Sequence, residues 1–292
     1  MSIEPPLCAA PDPNPRPPAF DVPDKACDCH FHIFDDPSPQ VAERSYTAPA
    51  APLDAFLHLH DTLGISRSVI VQPSIYGTDN RTTLQTCESV PSMKAIVVVD
   101  DSTPAGLLAS YRDQGAVGCR VNMLFGSNAR IDNLARLAHA AADQGWHLQI
   151  LGDVSALHET MADFADLPVP VVFDHFGHLA AEKGVNDPGF AALLRLVGDG
   201  KAWVKLSGSY RLGPAGLKTD SAVTDLAAAL VRANPNNLVW GSDWPHPATP
   251  KQSMPNDGAL LDLLARWIPD RALRGQILVD NPARLYGFSD DD

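Results

Sequence analysis

Residues 27–34 read Cys-Asp-Cys-His-Phe-His-Ile-Phe, a short apolar run that ends in histidines. In an open, doubly wound α/β sheet the first strand usually leads into a glycine-rich turn that wraps a phosphate. No such turn follows Phe34, so this first strand argues against that architecture. Seven runs of similar kind follow, at 67–74, 94–100, 117–123, 147–152, 169–177, 202–209 and 238–245. Between them lie stretches with helical periodicity, among them 52–63, 104–114, 131–144, 154–167, 189–199 and 221–233. Strands that are apolar on both faces belong to parallel sheets covered by helices. Eight β/α units in succession predict a single closed (β/α)₈ barrel of the TIM type over residues 24–292.

Composition agrees with one soluble barrel. The chain has 292 residues, 45% of them hydrophobic and 20% charged, enough apolar material for a large core. Its 22 Lys and Arg against 35 Asp and Glu leave a net charge of −13, which would repel a polyanion, so no nucleic-acid partner is expected. No apolar run reaches the roughly 20 residues of a membrane span. Nor does a basic segment followed by an apolar one open the chain, so no secretory leader is expected. The five cysteines are odd in number and scattered, which fits free thiols and a cytoplasmic location. Residues 1–23 carry seven prolines before Pro23 and are read as an extended arm, which could also serve as a contact in a homo-oligomer.

In such a barrel the chemistry gathers where the strands end. Here the strand ends carry His30, His32, Gln72, Ser74, Arg120, Asn122, Gln149, His175, Lys205, Ser207 and Asp243. Packing alone does not explain this, because an unpaired buried charge costs several kcal/mol. His30 and His32 are two apart on one strand and point to the same side, where they could share a metal ion or a substrate oxygen. His175 and Asp243, ending later strands, complete a His₃Asp cluster if the barrel closes. Cys27 and Cys29 should point away from these histidines. Arg120 and Arg211 could reach the same mouth and bind a carboxylate with their forked guanidinium groups, unless each only neutralises a nearby acid such as Asp174. His178 and His246 are loop candidates, Trp244 could wall the pocket, and His58, His60, His139, His147 and His158 are read as packing or surface residues.

The segments DCHFH (28–32), VQPS (71–74) with GTDNR (77–81), GCRVN (118–122), FDHFG (173–177), KLSGSYRL (205–212) and GSDWPH (241–246) together resemble the amidohydrolase superfamily, over nearly the whole chain. Within it the pattern is similar to the branch of 2-pyrone-4,6-dicarboxylate lactonases and related sugar-lactone and muconolactone hydrolases. The resemblance implies a distorted barrel that opens a lactone ring. It gives Asp243 the role of activating water, and His30, His32 and His175 that of polarising or orienting the carbonyl. Tyr210 and Arg211 match a carboxylate-binding pair, and Tyr46, Gln72, Ser74 and His246 fall among the positions expected to meet substrate. Many members hold two metal ions through a lysine or glutamate on the fourth strand or a histidine on the fifth. Arg120, Asn122 and Gln149 stand there instead. The branch implies that no cofactor is required, although one zinc or manganese ion on His30, His32, His175 and Asp243 is geometrically conceivable. A second arginine expected six residues after Arg120 is replaced by Gly126, and Arg130 is not its positional equivalent, so lactones with one carboxylate enter consideration. The rival readings are a mononuclear metal-dependent decarboxylase of an aromatic or enol carboxylate, and a non-catalytic binder of small anions.

Overall fold

The computed structural model describes residues 5–35, 40–42, 44–124, 131–213 and 220–290; Gly126 and Arg130 lie outside them. Eight parallel strands lie side by side in chain order: β1 Cys27–Phe31, β2 Arg67–Val71, β3 Met93–Val97, β4 Ala116–Asn122, β5 His147–Leu151, β6 Val171–Phe173, β7 Ala202–Leu206 and β8 Leu238–Trp240. Around them run α1 Leu53–Leu63, α2 Arg81–Ser89, α3 Ala105–Asp113, α4 Ile131–Asp143, α5 Pro188–Gly198, α6 Asp220–Ala233, α7 Asp257–Trp267, α8 Arg271–Gly275 and α9 Asn281–Tyr286. The barrel closes just beyond β8. There the Asp243 amide donates to the His30 carbonyl at 2.8 Å, and the His32 amide donates to the Trp244 carbonyl at 2.8 Å. The segment that seals the barrel is therefore the one that carries Asp243.

Side chains sort into two layers, as alternation along a strand requires. Phe31, Ile70, Val97, Ile150, Phe173, Leu206 and Trp240 meet the helices, with Phe31 stacked on Phe56 of α1 at 3.6 Å between ring centroids. Cys27, Cys29, Val69, Val71, Ile96, Val172, Trp203 and Val239 fill the interior, with Tyr286 and Phe288 packed against them. This corrects the expectation for Cys27 and Cys29, which face inward as the histidines do. The reason is a register slip. Asp28 pairs with Ser68 and Phe31 with Ile70, three steps along β1 against two along β2. One extra residue turns both Cys29 and His30 inward.

Several strands are shorter than their apolar runs suggest, because functional loops begin where pairing stops. Among the described residues seven non-glycine residues have positive φ. Six of them, His175, Phe176, His178, Asp243, His246 and Ala248, follow β6 or β8. Such backbone is costly for L-residues and gathers where surrounding structure holds a side chain in a required place. The helix expected over 154–167 is replaced by turns and a short 3₁₀ segment, Met161–Asp166. Asp153 accepts from the Ser155 amide and hydroxyl, His158 Nδ1 meets the Ser155 carbonyl, and Thr160 donates to the Leu157 carbonyl. These local bonds compete with the helical ladder.

Residues 5–23 form no helix, and they bond to the segment around Thr47, to the loop before α7 and to α7 itself. The Cys8 amide donates to the Thr47 carbonyl and the Thr47 amide to the Pro6 carbonyl, around an isolated bridge between Leu7 and Thr47, while Asn256 donates to Asp12 and Arg16 pairs with Asp262. All five cysteines are free thiols. Among the described residues no helix is long and apolar enough to cross a membrane.

Candidate active site

Asp243 is the hub of the mouth. Its Oδ1 lies 3.8 Å from His30 Nε2, 3.9 Å from His32 Nε2 and 3.8 Å from His175 Nε2. Its Oδ2 accepts from Arg211 Nε at 2.5 Å and from the Tyr210 hydroxyl at 2.6 Å. One carboxylate oxygen is thus clamped and the other faces three imidazoles. All four groups are buried, Asp243 being 1% exposed. Gly241 makes this approach feasible, since a Cβ there would stand 2.7 Å from the Cβ of His30. Gly208, with φ of +59°, plays the same part beside His175.

The far ring nitrogens determine what the near ones offer. His32 Nδ1 lies 2.7 Å from the Val71 carbonyl, which can only accept, so Nδ1 carries the hydrogen. His30 Nδ1 lies 3.2 Å from the carboxylate of Asp174 and carries its hydrogen for the same reason. Burial pushes His32 down to about 4 and His175 down to about 3, and it lowers His30 well below the ordinary range. The rings are neutral near pH 7, so His30 and His32 present lone pairs to Asp243. His175 differs, because its Nδ1 meets the Ser207 hydroxyl at 2.8 Å and either atom can donate.

Burial alone would raise the Asp243 carboxyl. Arg211 and then the imidazoles of His175, His30 and His32 outweigh it and hold the group well below the usual carboxylate range. The imidazoles make the fold acid-sensitive. Unfolded histidines take up protons below about 6.5, whereas His32 and His175 resist until about 4 and about 3. Their contribution to stability is full above pH 6.5 and is lost as pH falls toward 4. The expected result is a urea midpoint lower at pH 5 than at pH 7; equal midpoints would contradict the burial argument.

A second buried carboxylate, Asp174, sits one layer deeper. Its Oδ2 accepts from Arg120 Nε at 3.0 Å and Gln149 Nε2 at 3.1 Å. Lys205 Nζ donates to the Cys29 carbonyl at 2.8 Å and to Gln149 Oε1 at 2.7 Å, and lies 3.7 Å from Asp174 Oδ1. Arg120 therefore does neutralise Asp174, but through Nε only. Its Nη groups make no hydrogen bond among the described residues, and it lines the mouth. Behind Asp243, the Tyr210 hydroxyl also meets His246 Nδ1 at 2.9 Å, and His246 Nε2 faces Asp257 at 3.2 Å.

The sequence-predicted residues divide accordingly. His30, His32, His175 and Asp243 converge, and Arg120, Arg211, Tyr46 and Ser74 line the same mouth. Gln72 does not. Its amide donates to the Gly77 and Asp79 carbonyls and its oxygen accepts from Thr83, so it braces a loop. Tyr210 and His246 stand behind Asp243 instead of lining the mouth. Trp244 packs on Phe56 of α1 at 5.6 Å and does not wall the pocket. His178, Asn122, Pro247 and Ala248 do line it. Asp174, read only as a partner for arginine, and Asp257 carry more structure than their sequence context reveals.

One ligand atom each from His30, His32 and Asp243 lie within 4.8 Å of one another, and among the described residues the buried His30 Nε2 has no hydrogen-bond partner. Lone pairs converging beside a carboxylate fit a single divalent ion in this place.

The chain is 36% identical over 290 residues to a 4-sulfomuconolactone hydrolase of Rhizobium radiobacter, covering 97% of this chain and 96% of that one. It is 34% identical over 286 residues to a 2-pyrone-4,6-dicarboxylate hydrolase of Comamonas testosteroni, covering 94% and 93%. A crystal structure from Acinetobacter baumannii, described as a probable 2-pyrone-4,6-dicarboxylic acid hydrolase with citric acid bound, superposes with a TM-score of 0.83 at 26% identity, covering 90% of this chain and 100% of that one. Residues 27–288, from the first strand to the aromatic pair that packs against the barrel interior, match the amidohydrolase family, and the chain belongs to it.

Proposed function

We propose that this enzyme hydrolyses a carboxylated lactone with water activated by Asp243. The observation that carries the reading is the division of labour within one carboxylate: Oδ2 is held by Arg211 and Tyr210, while Oδ1 stays available among three imidazoles. Water attacks the ring carbonyl as Oδ1 takes its proton, a role typically contributing about 10²- to 10⁴-fold. The carbonyl oxygen becomes an oxyanion. His175 is the imidazole able to carry hydrogen on Nε2 and donates it there, provided Ser207 donates to Nδ1. Collapse breaks the bond to the ring oxygen, which receives the proton held by Asp243. The products are a hydroxyl group and a new carboxylic acid, which releases the second proton of the attacking water to solvent and leaves as the carboxylate.

A divalent ion held by His30, His32 and Asp243 would supply Lewis-acid polarisation of the carbonyl when bound. The chain's own contribution is to clamp Asp243, fix the tautomers of His30 and His32, and aim the substrate. Aiming falls to Arg120, whose Nη groups face the mouth, and to the side of Arg211 not spent on Asp243 and the Pro247 carbonyl. The relatives named for sulfonated and dicarboxylated lactones fit a mouth with two guanidinium groups.

The test is a panel of lactones bearing one carboxylate, two carboxylates or a sulfonate, followed by ring-opening absorbance and by carbon dioxide release. Ring opening of at least one is expected. Carbon dioxide release without ring opening would favour the decarboxylase. On the substrate so identified, Arg120→Lys should raise KM about tenfold with a smaller change in kcat, because lysine lacks the fork and one charged hydrogen bond is worth about 1.5–3 kcal/mol. An unchanged KM would remove Arg120 from substrate binding.

A further inference from the structure

Two ligand clusters overlap at His30. One is His30, His32 and Asp243 at the mouth; the other is His30, Asp174 and His175 beneath it, whose ligand atoms also lie within 4.8 Å of one another. The lower cluster has a feature that the upper lacks. Lys205 Nζ, fully buried, donates to Gln149 Oε1 at 2.7 Å and the Cys29 carbonyl at 2.8 Å, and stands 3.4 Å from His30 Nδ1 and 3.7 Å from Asp174 Oδ1. Three oxygens around one ammonium, from Gln149, Cys29 and Asp174, are the surroundings that a hard cation would take. Asp174 Oδ1 faces this charge as well as the Nδ1–H of His30, while Arg120 approaches the same carboxylate only from Oδ2.

We propose that Lys205 is a built-in cation that fills the lower of the two clusters, so that the chain holds at most one divalent ion. The ammonium does there what a second ion would do: it neutralises Asp174 and keeps that carboxylate against His30 Nδ1. The geometry of the upper cluster then depends on a cation tethered to the chain. Two positive charges a few ångströms apart in a buried site repel strongly, so an ion entering the lower cluster must first displace the lysine.

Stoichiometry tests this without any substrate, and so separately from lactone hydrolysis. Chelator-stripped protein is dialysed to equilibrium against Mn²⁺, and bound metal per chain is counted by mass spectrometry. Wild type should bind no more than one ion. Lys205→Ala should bind one more than wild type, while Lys205→Arg and the double variant Lys205→Ala/Asp174→Asn should match wild type. Two ions on wild type, or no gain in Lys205→Ala, would overturn the proposal. Circular dichroism establishes that each variant is folded. Should Lys205→Ala fail, Lys205→Gln takes its place, and the wild-type count remains decisive on its own.

Discussion

Replacing Asp243 by asparagine should lower kcat about 10³-fold, within the range typical of a lost general base, and leave KM within a few-fold. The amide keeps the shape of the side chain but has no basic oxygen to take a proton from water. Arg211 retains the Pro247 carbonyl and is 18% exposed, so the orphaned guanidinium is partly solvated and the fold should survive. The measurement is steady-state kinetics on the lactone that the panel identifies, together with a thermal melt. A loss below tenfold would exclude Asp243 as the base. A loss of the same size accompanied by unfolding would instead make it a structural carboxylate.

The largest effect on stability is expected at Asp174. Its carboxylate lies at 0% exposure between Arg120, Lys205, Gln149 and His30 Nδ1. Burial raises this carboxyl, but His30, Arg120 and Lys205 outweigh burial and hold it well below the usual range. Asp174→Asn removes the charge and leaves two cations facing an amide. Breaking a buried pair in this way costs about 3–5 kcal/mol. For a chain of 292 residues that corresponds to a melting temperature lower by about 5–8 °C. Because the folded group titrates below the unfolded value of about 3.9, its contribution is complete above pH 4 and is lost only in stronger acid. The deficit of the variant should therefore be the same at pH 6 and pH 8. A variant as stable as wild type would mean that Arg120 and Lys205 find other partners.

Much of the site is legible in the sequence because barrel strands are apolar and their last residues are not. His30, His32, His175 and Asp243 stand at four such ends, and alternation along β1 puts the two histidines on one side; they come to 5.1 Å between ring centroids. What escapes the sequence is whatever depends on register or on direction. The slip in β1 cannot be seen from spacing two, so Cys27 and Cys29 read as outward although they lie under the site. Gln72 ends β2 as suitably as Ser74 does, yet only packing shows its amide turned to Gly77 and Asp79. The link from Tyr210 through His246 to Asp257 joins the ends of β7 and β8 to the first turn of α7, and no local pattern announces it. The helix α2, Arg81–Ser89, is polar over most of its length, so too few apolar residues stand out to mark it.

The account rests on water, activated at Asp243, attacking a ring carbonyl. Turnover of the identified lactone in ¹⁸O-labelled water, under conditions where each enzyme molecule reacts once, tests this most directly. The account predicts one ¹⁸O in the newly formed carboxylate of the product and none in the protein. Label in the side chain of Asp243, with unlabelled product from the first turnover, would show attack by the carboxylate itself and contradict it.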